Sequence, residues 1–206
     1  MGRLAQLRQR IGSEGLGPVM RLAAAHLRDR VVPPLHLIYW TPTDAPGSSA
    51  MPPSGESIDV AGDTDGLALV RGRLVAAGMD HDDAAEFDQQ LAAGARCHAL
   101  LVEGRFAGSL YTVPGSVTPF QHVVLTPLDA MVLDARIDPA FRGRGLYSIL
   151  LTETLRALHA IGIQRLYIDT PASNERSLAT FRRLGFSILV RYRRRGSGYH
   201  FDREPL

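Results

Sequence analysis

Apolar positions along this chain recur in two rhythms, one helical and one alternating. Near the start, Leu16, Val19, Met20, Ala23 and Leu27 share a helical face, with Arg21, Arg28 and Arg30 on others and Pro33-Pro34 following. This predicts an amphipathic basic helix that the prolines end. "LHLIYW" (Leu35–Trp40) predicts a strand, and the Pro-, Gly- and Ser-rich residues 41–57 predict a surface loop. Helical patterns occupy about residues 64–77 and 81–93. Two apolar runs flank Glu103-Gly104-Arg105 within Cys97–Val113, which predicts a β-hairpin.

A Pro-rich loop over 114–127 leads into "DAMVLDARIDP", read as a strand. Leu146, Ile149, Leu150, Leu155 and Leu158 form a stripe with a period of about 3.6, so a helix begins close to Gly145 and ends at Gly162. "RLYIDT" (Arg165–Thr170) predicts a strand, residues 174–184 a helix stopped by Gly185, and "FSILVRYRRR" a last long strand. Strands and helices alternating at this spacing predict a mixed sheet with helices packed on it, an α/β or α+β fold.

Composition narrows the class. A chain of 206 residues, 45% of them apolar, can bury one sizeable core and is short for two, so residues 1–33 read as an N-terminal helical extension and 34–206 as one domain. The formal net charge of +2 gives no reason to expect a nucleic-acid partner. The single cysteine, Cys97, fits a reducing compartment, and no run approaches the roughly 20 apolar residues of a membrane helix. The expected location is the cytoplasm. The basic N-terminal helix packs on its own domain or docks on an anionic membrane or a partner.

The segment "IDPAFRGRGLY" carries the most informative chemistry. The first turn of a helix presents backbone N–H groups without intrahelical partners, and the helix dipole adds partial positive charge. Gly143 and Gly145 leave room for a phosphate to reach that backbone, while Arg142 and Arg144 supply full charges. The bland alternative is a tight turn with two solvated arginines. Two other phosphate loops are excluded: a P-loop needs a lysine, of which the chain has none, and the dinucleotide fingerprint needs a glycine where Ser148 stands.

"RGRGLY" resembles the acyl-CoA-binding loop of the Gcn5-related N-acetyltransferases, the GNAT family. Downstream, "IDTPASNERSLATFRRLGF" (Ile168–Phe186) resembles that family's second signature, a strand, an Asn, a short helix and a closing Gly-Phe. Together the two cover residues 128–191. The resemblance implies a single GNAT-like domain with a mostly antiparallel mixed sheet, acetyl-CoA or another acyl-CoA as cosubstrate, and no metal. It further implies transfer to a small-molecule or peptide amine, with a homodimer among the assembly states. It places the backbone amides of Arg142, Gly143, Arg144, Gly145, Leu146 and Tyr147 on the CoA pyrophosphate. Arg136 and Ile137 then lie along the pantetheine arm, whose thioester carbonyl the strand amide polarises, and Asn174 and Ser177 lie beside it.

Two positions depart from the family pattern. Tyr147 stands where the loop ends in Gly or Ala, and Phe181 where many members carry the Tyr that protonates the leaving thiolate. A thiol of pKa about 8.5 leaves readily, so water or Ser177 substitutes for that acid. Asp169 and Asp134 are the candidate acceptors of the amine's proton, directly or through water. A non-catalytic CoA-binding or assembly module with the same fold is the alternative reading.

Other candidates are weaker. Cys97-His98 suggests a nucleophile and its base, but neighbouring strand residues face opposite sides, so Cys97 is read as a core residue. Acids in Asp80–Asp88 are read as the charge that a helix start favours rather than as a metal site. Tyr111, Phe120 and His122, beside the Pro-rich loop, line an acceptor pocket or a solvated loop.

Overall fold

The computed structural model describes residues 35–44, 51–62, 65–115, 124–195 and 198–201. The N-terminal helix expected before Pro33, together with Phe120 and His122, lies outside the described residues. Among those residues one eight-stranded sheet forms, from β1 (Leu35–Pro42), β2 (Gly55–Ala61), β3 (Arg96–Val102), β4 (Arg105–Pro114), β5 (Asp129–Ile137), β6 (Arg165–Pro171), β7 (Ser187–Arg195) and β8 (Gly198–Phe201). The order is β2-β3-β4-β5-β6-β1-β7-β8, and every neighbouring pair is antiparallel except β5 with β6. Helices α1 (Leu67–Ala76) and α2 (His81–Ala92) cover β2 to β4 on one face, and α3 (Leu146–Ala160) and α4 (Glu175–Arg183) cover the other.

The expected elements form close to their expected bounds, for local reasons. Glu103 and Gly104 adopt φ of 55° and 70°, the paired positive values that a tight hairpin turn requires. Asp80 caps α2 by accepting from Asp83 N at 2.7 Å. The stripe of α3 buries Leu150, Leu151 and Leu155 completely against the sheet, at about 1.5–3 kcal/mol each. Cys97 packs with Phe87 and Leu91 under α2.

Two strands, β2 and β8, lie beyond those expected, while β1 forms where expected. β2 takes residues partly assigned to a loop; it is an edge strand with only Val60 buried, too little apolar alternation to register. β8 closes the opposite edge. β1 has a greater consequence, because it inserts between β6 and β7, setting Ile38 opposite both Asp169 and Val190.

The parallel pair opens part-way. β5 and β6 are paired from Asp129 opposite Arg165 to Val132 opposite Ile168, and no further. At the closed end Arg165 donates to Asp129 through Nε at 2.6 Å and Nη2 at 3.1 Å, while Thr126 donates N–H and O–H to the same carboxylate at 2.7 and 2.8 Å. Burial alone would raise the Asp129 carboxyl; these bonds outweigh it and hold the group below the usual carboxylate range. At Leu133 the β4–β5 ladder slips, since Thr112 faces Val132 but Tyr111 faces Asp134. Such a bulge bends its strand, and beyond it β5 diverges from β6.

Candidate active site

The divergence of β5 and β6 opens a cavity of about 680 Å³. Residues 132–137 line one side and residues 168–171 the other; the first turn of α3 and the inward face of α4 close it. The cavity passes through the sheet. Val132 and Ile168 belong to the core under α3 and α4, whereas Asp134 pairs with Tyr111 and Asp169 with Ile38, both of which face the α1–α2 side.

Its α3 end is built for an anion. Gly143 and Gly145 have φ of 79° and 74°, and a Cβ on either would meet no atom within 4 Å. Glycine is needed for the backbone, and the space beside it is open. No side chain caps α3, whose N-cap is Gly145 itself. Arg142 donates from Nε to Ile137 O at 3.0 Å, which ties the loop to the end of β5. Arg144 is not among the lining residues; its guanidinium lies over the Phe141 ring, 5.4 Å from the centroid. Arg176 and Arg183 of α4 line the cavity instead, and Arg183 donates to the buried Ser148 hydroxyl. These residues fit a pyrophosphate, and sequence reasoning passed over both α4 arginines, whose place in the lining depends on how α4 packs.

Along the middle, Asn174 lines the cavity while its Oδ1 accepts from Ser177 N at 3.3 Å, so it caps α4 as well. Ser177 is hydrogen-bonded to the Tyr147 side chain, and burial first, then the nearby Asp134 charge, raises that phenol above its ordinary pKa. Phe181 is fully buried, its ring 5.1 Å from Tyr39, 5.4 Å from Phe186 and 6.2 Å from Tyr147.

On the α1–α2 side carboxylates gather. Arg136 pairs with Asp83 and, at 3.3 Å, with Glu86, so its side chain clamps α2 to β5 while its backbone lines the cavity. Burial and the neighbouring Asp134 raise the Glu86 carboxyl. Across the opening, Asp169 accepts from Tyr192 O–H at 2.7 Å and lies 3.4 Å from His36 Nδ1. Glu86, His36 and Tyr192 carried no signal in the sequence, because strand order and helix placement bring them here.

A family model described as the acetyltransferase (GNAT) family matches residues 69–186, more than half of the chain. The chain belongs to this family. An uncharacterized protein of Mycobacterium leprae is 34% identical to it over 103 residues, which are 50% of this chain and 26% of that protein. Two solved structures share the GNAT fold. A GCN5-related N-acetyltransferase from Sphaerobacter thermophilus has a TM-score of 0.53 at 15% identity, over 84% of this chain and 55% of that one. A tandem GNAT protein from the clavulanic acid biosynthesis pathway has a TM-score of 0.51 at 16% identity, over 75% and 50%. This GNAT chain therefore spans about a quarter of its curated relative and about half of these structures.

Proposed function

We propose that this GNAT protein is an acyl-CoA-dependent N-acyltransferase, moving an acetyl group from acetyl-CoA to a primary amine by direct attack in a ternary complex. The observation that carries the reading is a cavity that runs through the sheet from an uncapped, glycine-lined helix start to a group of carboxylates. The pyrophosphate is held by the amides from Arg142 to Tyr147 with the charges of Arg142, Arg176 and Arg183. The pantetheine arm follows β5 past Ile137 and Arg136, beside Asn174 and Ser177. Strand amides that β6 no longer pairs polarise the thioester carbonyl. Asp134, Asp169 and Glu86 attract a cationic acceptor, and Asp134 and Asp169 are the carboxylates nearest its proton. A buried Cys97 agrees with work in a reducing cytoplasm, and among the described residues no helix is long and apolar enough to cross a membrane.

Calorimetry with acetyl-CoA tests the first half: no heat at millimolar ligand overturns the proposal. Thiol release tests the second, over amino sugars, polyamines, amino acids, peptide N-termini and aminoglycosides. Binding without turnover on any of them supports the non-catalytic module instead, to which the missing hydroxyl at Phe181 points.

A further inference from the structure

Beyond the two carboxylates, the strand that inserts into the sheet brings a third proton-handling group beside Asp169. His36 on β1, Asp169 on β6 and Tyr192 on β7 gather across three strands, with Asp169 two residues from Pro171, the β6 partner of His36. His36 faces Tyr192 directly in the ladder, and their rings stack with centroids 5.2 Å apart and planes at 28°. The Tyr192 hydroxyl donates to Asp169 Oδ2 at 2.7 Å, while His36 Nδ1 stands 3.4 Å from Asp169 Oδ1. Both His36 Nδ1 and Asp169 Oδ1 are buried with no hydrogen-bond partner among the described residues, so each is the other's nearest complement. The side chains are 23% and 22% exposed; Asp169 lines the cavity, and His36 and Tyr192 stand beside it, outside the lining.

Asp169 Oδ2 is thus taken by Tyr192 and Oδ1 is buried beside His36, which leaves the carboxylate poorly placed to take a proton from an incoming amine. The imidazole is left with Nε2. An imidazole is also intrinsically a stronger base than a carboxylate. We infer that His36 is the proton acceptor of the acyl transfer, with Asp169 and Tyr192 as positioning residues that fix its ring and its tautomer. This inference rests on the proposed acyltransferase function.

Nε2 takes one proton from the acceptor's ammonium group through a bridging water and later passes it to solvent. The freed amine nitrogen attacks the thioester carbonyl carbon, forming the C–N bond. The C–S bond then breaks, and the remaining surplus N–H proton ends on the departing sulfur, giving amide and free thiol. A proton on Nδ1, 3.4 Å from Asp169 Oδ1, leaves the lone pair on Nε2, and a small turn of the ring that brings it onto that oxygen stabilises the imidazolium while it is charged.

The test uses the full chain with acetyl-CoA and the amine of the panel that turns over fastest. His36→Gln is expected to lower kcat by roughly 100-fold to 10,000-fold while acetyl-CoA affinity by calorimetry stays within about twofold. Free imidazole should restore part of the rate of His36→Ala, which a purely structural histidine would not allow. The double variant His36→Ala/Asp169→Asn should be no slower than His36→Ala, because the pair acts as one unit. Full rate in His36→Gln, no imidazole rescue, or additive losses in the double variant overturns the inference. Nitrogen NMR of the imidazole supplies a readout that needs no acceptor: protonated Nδ1 and bare Nε2 are expected at pH 8, and the opposite tautomer refutes the assignment. If no amine turns over, the acyltransferase reading falls while the tautomer still reports on the Asp169–His36 pair.

Discussion

Asp129→Asn removes the pin at the closed end of the β5–β6 opening. The carboxylate is fully buried and accepts four hydrogen bonds, two from Arg165 and two from Thr126. Breaking a buried ion pair from one side costs about 3–5 kcal/mol. Here the Arg165 side chain is 42% exposed, so water hydrates the orphaned guanidinium, and the asparagine carbonyl keeps one acceptor. About 2–3 kcal/mol remains after that discount. At about 2–4 °C per kcal/mol for a chain of this size, Tm should fall by roughly 4–12 °C at pH 7. The folded-state carboxyl lies below its ordinary value, so its stabilisation is present above about pH 3.9 and is lost as pH falls through the folded-state value. Differential scanning calorimetry of both proteins from pH 7 down to pH 3 should therefore show the Tm gap closing below about pH 4. Equal Tm values at pH 7, or a gap that widens on acidification, would refute this account of the pin.

Gly145→Ala should cost about 1–2 kcal/mol through its positive φ, and weaken acetyl-CoA binding by at least about tenfold, because the new Cβ enters the open space beside the backbone amides. Unchanged calorimetric affinity would remove the loop from the site. Phe181→Tyr should lower stability by about 1–3 kcal/mol in thermal unfolding, since a hydroxyl among the Tyr39, Tyr147 and Phe186 rings has to be buried; a variant as stable as the parent contradicts that packing. Burial pushes the Cys97 thiol up to about 12. Only a fraction on the order of 10⁻⁴ is then thiolate at pH 8, so a disulfide reagent should label it only after denaturation, and prompt labelling of the native protein would count against its burial.

What the sequence disclosed was local. Gly143 and Gly145 show where the backbone must turn, the stripe from Leu146 to Leu158 shows where a helix starts, and Asn174 four residues before Leu178 marks the next one. Each is decided within a few residues, and together they describe the α3 end of the cavity. The α1–α2 end was illegible for the opposite reason. His36 lies 133 residues before Asp169, and only the insertion of β1 between β6 and β7 makes them neighbours. Glu86 comes near Asp134 because α2 lies over β3 and is tied to β5 by Arg136, which no spacing records. Arg144 illustrates the converse: its position in the motif predicted a phosphate contact, but its side chain stacks on Phe141 and only its backbone remains a candidate.

The central claim, that the opening between β5 and β6 receives an acyl-CoA from the α3 side, is tested most directly by amide NMR during titration with CoA. The account predicts the largest shifts at Gly143, Gly145, Leu146 and Tyr147, continuing along β5 at Arg136 and Ile137 and at Asn174 and Ser177 of α4, with β2 and α1 unmoved. Saturating CoA that leaves those amides unshifted, or that shifts β2 and α1 instead, would contradict it.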